Sequence, residues 1–235
     1  MSILSIAGYQ FIALNEIKIL RQTLLERCHA LSLKGTILLS TEGMNLNLAG
    51  MVKDIEIFKL ALKKEFGFQI TFRESYPEYV PFKRLKVKLK KEIITLRQEN
   101  VNLVNRKAPS LTPEIFKTWL DEKYDITILD ARNDYEIQFG TFTHAINLHL
   151  NHFNEFPAAI QAIPSDKPIV MFCTGGIRCE KAAIYLLNKG FKNVYQLEGG
   201  ILNYFEKVGS AHYTGECFVF DERIAVDANL NPVKS

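Results

Sequence analysis

Reactive chemistry in this chain concentrates in one run, Cys173-Thr174-Gly175-Gly176-Ile177-Arg178. It follows the apolar stretch Pro168-Ile-Val-Met-Phe172. It precedes a segment with Ala182, Ala183, Leu186 and Leu187 at helical spacing, ended by Gly190. Cys173 therefore stands where a buried strand gives way to a helix. The Gly175-Gly176 pair lets the backbone curl without Cβ clashes, so that successive N–H groups can point inward as an anion-binding concavity. The helix behind adds its positive dipole end, and Arg178 adds a full charge. All three favour thiolate over thiol and predict a Cys173 pKa below the free value of about 8.5. Packing is the ordinary fate of a lone cysteine, but packing requires neither two glycines nor an arginine.

Other polar residues are weighed against plainer roles. Asp130 and Arg132 end an apolar run, and Glu136 follows. A carboxylate and a guanidinium at a strand end predict a hydrogen-bonded pair that fixes the loops, with direct chemistry the lesser role. Glu180 and Lys181 lie near a helix start, where Glu suits the dipole; lining a pocket mouth and a capping or solvated role are equally compatible. Cys179 reads most simply as packing, and more sharply as a resolving thiol. Cys217, in the alternating Cys217-Phe-Val-Phe220, is expected in the core. His29, His149, His152 and His212 form no triad pattern, and His144 is expected on the surface or a loop. Residues 84–97 begin with strict alternation: Leu85, Val87 and Leu89 face one way, Arg84, Lys86, Lys88 and Lys90 the other. An anionic partner would relieve that self-repelling row. A solvated outer face with Lys guarding a sheet edge accounts for it as well.

These residues need a scaffold. The first hundred residues read as a strand over 3–13, then a helix capped by Asn15 carrying Ile17, Leu20, Leu24 and Cys28, ended by Gly35. A strand over Thr36–Ser40, a turn at Thr41-Glu42-Gly43 and a strand with Leu46 and Leu48, closed by Gly50, come next. A helix over 54–66 and a strand over 68–73 complete the series. This order predicts a ferredoxin-like (acylphosphatase-like) α+β domain over 1–98, followed by a linker over 99–113 with Pro109 and Pro113. Thr112 as N-cap and Pro113 at the first helical position start the next domain. Its strands are predicted at 126–130, 168–172 and 194–197. Its helices are predicted at 153–163, behind Cys173 and after Glu198-Gly-Gly200. Alternation of this kind implies an α/β domain with a mainly parallel sheet, here 114–209, and functional loops at the carboxyl ends of its strands. Residues 210–235 form a C-terminal extension.

The 235 residues are 47% hydrophobic and 23% charged, with a formal net charge of +3. That permits an anionic partner without requiring one. No apolar run approaches the roughly 20 residues of a membrane span. Met1-Ser2-Ile3-Leu4 lacks the basic start and long apolar core of a secretory signal, so a cytoplasmic location is expected. The cysteines Cys28, Cys173, Cys179 and Cys217 form no CxxC pair, which predicts neither a disulfide framework nor a zinc site.

Asp130-Ala-Arg132-Asn-Asp-Tyr-Glu136, Cys173-Thr-Gly-Gly-Ile-Arg178 and Leu197-Glu-Gly-Gly200 resemble, in order and spacing, the rhodanese superfamily, whose loop cysteine carries a persulfide. Relatives with one more loop residue are dual-specificity phosphatases; the shorter loop here disfavours that activity. A narrower resemblance includes Pro81-Phe-Lys-Arg-Leu-Lys-Val-Lys88, Cys173 through Ala182, and Gly215-Glu-Cys-Phe-Val-Phe-Asp-Glu-Arg223. Together with Arg132–Glu136 these resemble the bacterial tRNA uridine hydroxylases, rhodanese-like enzymes that use oxygen to make 5-hydroxyuridine at wobble position 34. The resemblance spans both domains and the extension. It departs at His144, where such relatives usually carry a small or basic residue; longer members also continue into a cysteine-rich tail. It implies Cys173 as the reactive residue, molecular oxygen and a reductant as co-substrates, and the tRNA anticodon loop as partner, with phosphates along Arg84, Lys86, Lys88 and Lys90. No flavin, haem or iron site is recognisable, and oligomeric state is left open. A rhodanese-type sulfurtransferase using a Cys173 persulfide is the rival reading, since the same loop serves it. The basic strand and the extra N-terminal domain favour RNA. Retention of Cys173 and Arg178 argues against a non-catalytic module.

Overall fold

The structure, a computed structural model, describes residues 2–99, 101, 103–104, 106–163 and 166–233. It divides into two compact units, one up to Ile93 and one from Ile94. The first contains β1 (Ile3–Phe11), α1 (Ile17–Ala30), β2 (Lys34–Ser40), β3 (Gly43–Met51), α2 (Val52–Lys64), β4 (Arg73–Ser75) and β5 (Leu85–Leu89). Strand order is β4-β1-β3-β2-β5, antiparallel except for the β2/β5 pair. This is the ferredoxin-like arrangement with β5 added at one edge. Alternate strand residues such as Ile6, Ile37, Leu46 and Val87 point to one face, where they meet Leu24 of α1 and Phe58 of α2 in a single core.

Several boundaries in this unit differ from the sequence expectation. The residue before α1 is Glu16, at φ 49°, and Asn15 is not the cap. Gly35 does not end α1 but lies within β2, where a Cβ would sit 2.1 Å from the Asn47 carbonyl oxygen. The predicted strand 68–73 enters the ladder only at Arg73–Ser75. Before that point the Gln10 side chain accepts the Gln69 N–H at 2.7 Å, taking the place of a strand partner. The alternation that starts at residue 84 pairs only from Leu85 to Leu89, because β2 ends at Ser40 and offers nothing further along.

The second unit contains β6 (Ser110–Leu111), α3 (Pro113–Asp121), β7 (Thr127–Asp130), α4 (Asp134–Ile137), β8 (Gly140–Phe142) and β9 (Ile146–Asn147). Then come α5 (Phe156–Ala159), β10 (Ile169–Phe172), α6 (Ile177–Asn188), β11 (Val194–Leu197) and α7 (Gly200–Val208). The extension adds β12 (Tyr213–Gly215), β13 (Cys217–Phe218) and β14 (Ala225–Val226). The main sheet, β6-β11-β10-β7-β9, is parallel throughout. Every residue of the central β10 is buried, which is why it reads as a continuous apolar run rather than an alternating one. Phe116, Phe142, Phe172 and Tyr204 pack edge to face in the core.

Thr112 caps α3 as predicted, accepting the Ile115 N–H at 3.3 Å, with Pro113 at the first position. The predicted linker is not all linker. Ser110–Leu111 is an edge strand paired with β11, and Leu111 is buried; Asn100, Asn102 and Asn105 of that linker lie outside the described residues. Residues 94–98, expected in the first domain, group with the second unit. The predicted helix over 153–163 is broken into a 3₁₀ turn at Phe153–Glu155, the short α5 carrying Pro157, and a second 3₁₀ turn at Ile160–Ala162. Within the described part of the extension β12 pairs with β8, and β13 with β14. Among the described residues no helix is long and apolar enough to cross a membrane.

Candidate active site

The parallel sheet sets the site. In register, Phe172 at the end of β10 lies beside Asp130 at the end of β7. The two loops that follow therefore leave the same edge of the sheet, as expected for strands that all point one way. Gly176 turns the chain into α6 at φ 97°, a conformation that favours glycine. Gly175 has no such constraint, and a Cβ there would meet nothing within 4 Å. Only the second glycine of the pair is conformationally required.

The Cys173 Sγ accepts the Gly176 N–H at 3.1 Å. It also accepts the Cys179 thiol and the N–H groups of Cys179 and Arg178. Burial alone would push this thiol up. The Cys179 thiol, the Arg178 charge and the two N–H groups outweigh burial and bring the pKa down to about 5. The other thiols move the opposite way. Burial pushes Cys28 and Cys217 up to about 12, and burial with the neighbouring Cys173 raises Cys179 well above the ordinary range. One cysteine in four is thus a thiolate at neutral pH. Reactive cysteines usually sit partly exposed, yet Cys173 is only 1% exposed. The shell around Cys173 thus leaves almost none of it to solvent.

The carboxylates form two pairs, not one. Arg132 donates to Asp130 through Nε at 3.0 Å and Nη2 at 2.7 Å, and Nη2 also donates to the Gly140 carbonyl at 2.6 Å. The Thr141 hydroxyl reaches the same aspartate at 2.8 Å. Glu136 belongs instead to Arg178, which holds it in a two-pronged bond, Nη2 to Oε1 at 2.7 Å and Nη1 to Oε2 at 2.5 Å. Burial would raise the Glu136 pKa; the Arg178 bonds and charge overcome that and hold it below the ordinary carboxylate value. Arg178 is therefore not the free positive charge that the sequence suggests. Part of its field on Cys173 is cancelled by a buried carboxylate forty-two positions away. Thr174 joins the network: its hydroxyl lies 3.4 Å from Glu136 and 3.5 Å from the Phe218 carbonyl.

The Glu198-Gly-Gly200 motif has a specific part that its sequence did not disclose. The Ile201 N–H donates to the Cys173 carbonyl at 2.9 Å, and the Leu202 N–H to that of Thr174 at 3.2 Å. The first turn of α7 thus holds the cysteine loop from behind. This contact is close: Gly200 sits at φ 67°, and a Cβ on it would lie 2.3 Å from the Cys173 carbonyl oxygen.

Remaining candidates are placed as follows. Ile177, the first residue of α6, and Glu180 are half-buried. Lys181 is neither solvated nor at a pocket mouth; it is buried and donates to the Ile94 carbonyl at 3.1 Å. His144 is exposed, and His212 faces Asp121 at 2.6 Å. Cys217 is buried, as expected. Among the described residues no cluster of three or more His, Cys, Asp or Glu could hold a metal ion. Arg84, Lys88 and Lys90 are exposed and Lys86 half-buried, all on or flanking β5 in the first unit. Register puts Lys86 beside Thr36 and Asn47, and Lys88 beside Leu38 and Asn45, on the sheet face opposite the core. The sequence reading gave Phe220 no role at the site, yet its ring lies 5.8 Å from the Arg178 guanidinium; its signals were alternation in the extension and its place in the Gly215–Arg223 run.

Comparison with known proteins covers both units. Residues 3–93 match the family described as UPF0176 acylphosphatase like domain, and residues 112–207 match the rhodanese-like domain. A tRNA uridine(34) hydroxylase of Cupriavidus taiwanensis is 47% identical over 241 residues, covering 99% of this chain and 86% of the relative. One of Paraburkholderia xenovorans is 44% identical, covering 100% and 86%. Among solved structures, a rhodanese-related protein from Thermoplasma volcanium aligns over 43% of this chain and 93% of its own, at 24% identity and a TM-score of 0.35. Identity at this level, sustained across the basic-strand unit, the cysteine-loop unit and most of the extension, establishes that the chain belongs to the tRNA uridine(34) hydroxylase family.

Proposed function

We propose that this protein hydroxylates uridine 34 of tRNA through the Cys173 thiolate. The observation that carries the reading is the convergence of three N–H groups and the Cys179 thiol on Cys173 Sγ, which leaves a nucleophile ionised at neutral pH. Uracil C5 resists direct oxidation, and a thiolate answers that difficulty. Sγ bonds to C6 and shifts the C5=C6 electron pair onto C5, where the C4 carbonyl delocalises it. C5 then bonds an electrophilic oxygen at the peroxide level, formed from molecular oxygen and two electrons of a reductant; the second oxygen atom leaves as water. Loss of the C5 proton and departure of Sγ restore the double bond. Covalent catalysis splits one difficult step into two, and the N–H groups receive the thiolate as it leaves. A wobble uridine is unpaired and can be splayed from its loop into a pocket. The outer face of the first sheet, edged by Arg84, Lys86, Lys88 and Lys90, offers charge to the phosphates.

Nucleoside mass spectrometry of tRNA incubated with oxygen, a reductant and either wild type or Cys173→Ser tests this. The expected result is 5-hydroxyuridine with wild type only; product retained by Cys173→Ser removes the thiolate from the mechanism. The same N–H groups would also hold a Cys173 persulfide, so sulfurtransfer is the second reading. Thiosulfate-to-cyanide turnover without 5-hydroxyuridine would favour it.

A further inference from the structure

Tyr135 and Phe220 are large aromatic side chains, 44% and 55% exposed, in a unit that buries most of its others. Folding gains little from leaving such rings in water. Both are attached to the reactive site. Tyr135 precedes Glu136, the partner of Arg178. Phe220 lies 5.8 Å from the Arg178 guanidinium. Phe218 stands between them, edge to face with each, at 5.3 Å from Tyr135 and 5.2 Å from Phe220. Its carbonyl lies 3.5 Å from the Thr174 hydroxyl, on the residue next to Cys173.

The hairpin that carries Phe220 is held firmly. The Val219 N–H donates to the Ile224 carbonyl at 2.8 Å, and Arg223 pairs with Asp221, its Nε donating at 2.9 Å. The exposed ring is thus displayed on a braced turn rather than on a loose tail. Exposed aromatic faces beside a guanidinium are what an unstacked nucleobase binds, by stacking and by the charge behind the ring.

We infer that Phe220 and Tyr135, braced by Phe218, form the stacking platform for the unpaired pyrimidine base that enters the Cys173 site. This rests on the RNA-hydroxylase reading above and names the residues that receive the substrate base. It also gives the Gly215–Arg223 motif a purpose beyond closing the fold.

The test uses the full chain and an anticodon stem-loop RNA carrying either uridine or an abasic residue at position 34. Affinity is measured by fluorescence anisotropy without reductant, and hydroxylation of the uridine RNA by mass spectrometry. Wild type should bind the uridine RNA about 5- to 150-fold more tightly than the abasic RNA, the range for one stacked base. Phe220→Leu keeps an apolar side chain but loses the ring, so it should lose most of that discrimination; Phe220→Trp should keep it. Tyr135→Leu supplies a second, independent loss. If wild type makes 5-hydroxyuridine while Phe220→Leu and Tyr135→Leu both discriminate as it does, the platform is refuted and the hydroxylase reading survives. If wild type makes no 5-hydroxyuridine and does not distinguish the two RNAs, both fall.

Discussion

The Cys179 thiol is the strongest single influence drawing Cys173 toward thiolate, and Cys179→Ala removes it without touching the loop backbone. A hydrogen bond to a charged group is worth about 1.5–3 kcal/mol. At about 1.36 kcal/mol per pKa unit, its loss should raise the Cys173 midpoint by about one to two pH units. Thiolate absorbance near 240 nm reads this directly, because the other thiols are held at about 12 or well above the ordinary range and stay silent below pH 8. Wild type should show one titration centred at about 5, Cys173→Ser none in that window, and Cys179→Ser a smaller rise than Cys179→Ala. Stability follows with a defined sign. The folded pKa lies below the ordinary thiol value of 9.0, so the thiolate stabilises the fold fully above pH 9 and loses that contribution as pH falls through 5. At pH 7 about two units of that separation are in effect, or about 3 kcal/mol. A wild-type midpoint at or above the ordinary thiol value, or an unchanged midpoint in Cys179→Ala, would refute the reasoning.

Glu136→Gln takes from the buried Arg178 its two-pronged carboxylate partner and leaves only the Cys173 thiolate to offset its charge; a loss of about 3–5 kcal/mol is expected in urea unfolding at neutral pH. Because Glu136 is held below the ordinary carboxylate value, that difference should shrink as acid protonates the wild-type side chain. The same variant should lower the Cys173 midpoint, since a nearby negative charge is gone. Gly200→Ala forces a Cβ to within 2.3 Å of the Cys173 carbonyl, and should raise the thiolate midpoint and depress hydroxylation while α7 persists by circular dichroism. Replacing Lys86, Lys88 and Lys90 with Gln should weaken tRNA binding and flatten its salt dependence, with log K against log salt losing slope for each phosphate contact removed. Unchanged affinity and slope would remove that face from RNA binding.

The loop that holds the ionised thiol was legible in the chain itself. A buried apolar strand running straight into Cys173, and a glycine where the backbone must turn into α6, are local features, and local features leave a local signature. The parallel sheet was equally legible, since strands covered on both faces read as unbroken apolar runs. Short pairings were not. Ser110–Leu111 contributes two residues to a sheet, too few for any periodicity, and of the 68–73 segment only Arg73 finds a strand partner. The electrostatics of the site also needed three dimensions. Charge acts through space, so the Arg178 guanidinium answers to Glu136 and not to a neighbour in sequence, and Lys181 is spent on the Ile94 carbonyl rather than on solvent. The sequence by itself determined which sulfur sits in a thiolate-favouring loop and on what kind of fold. Only the tertiary structure decided how much of Arg178's charge reaches that sulfur, why Gly200 must be glycine, and which exposed rings stand beside the site. Each of those depends on atoms that meet only once distant segments have been brought together.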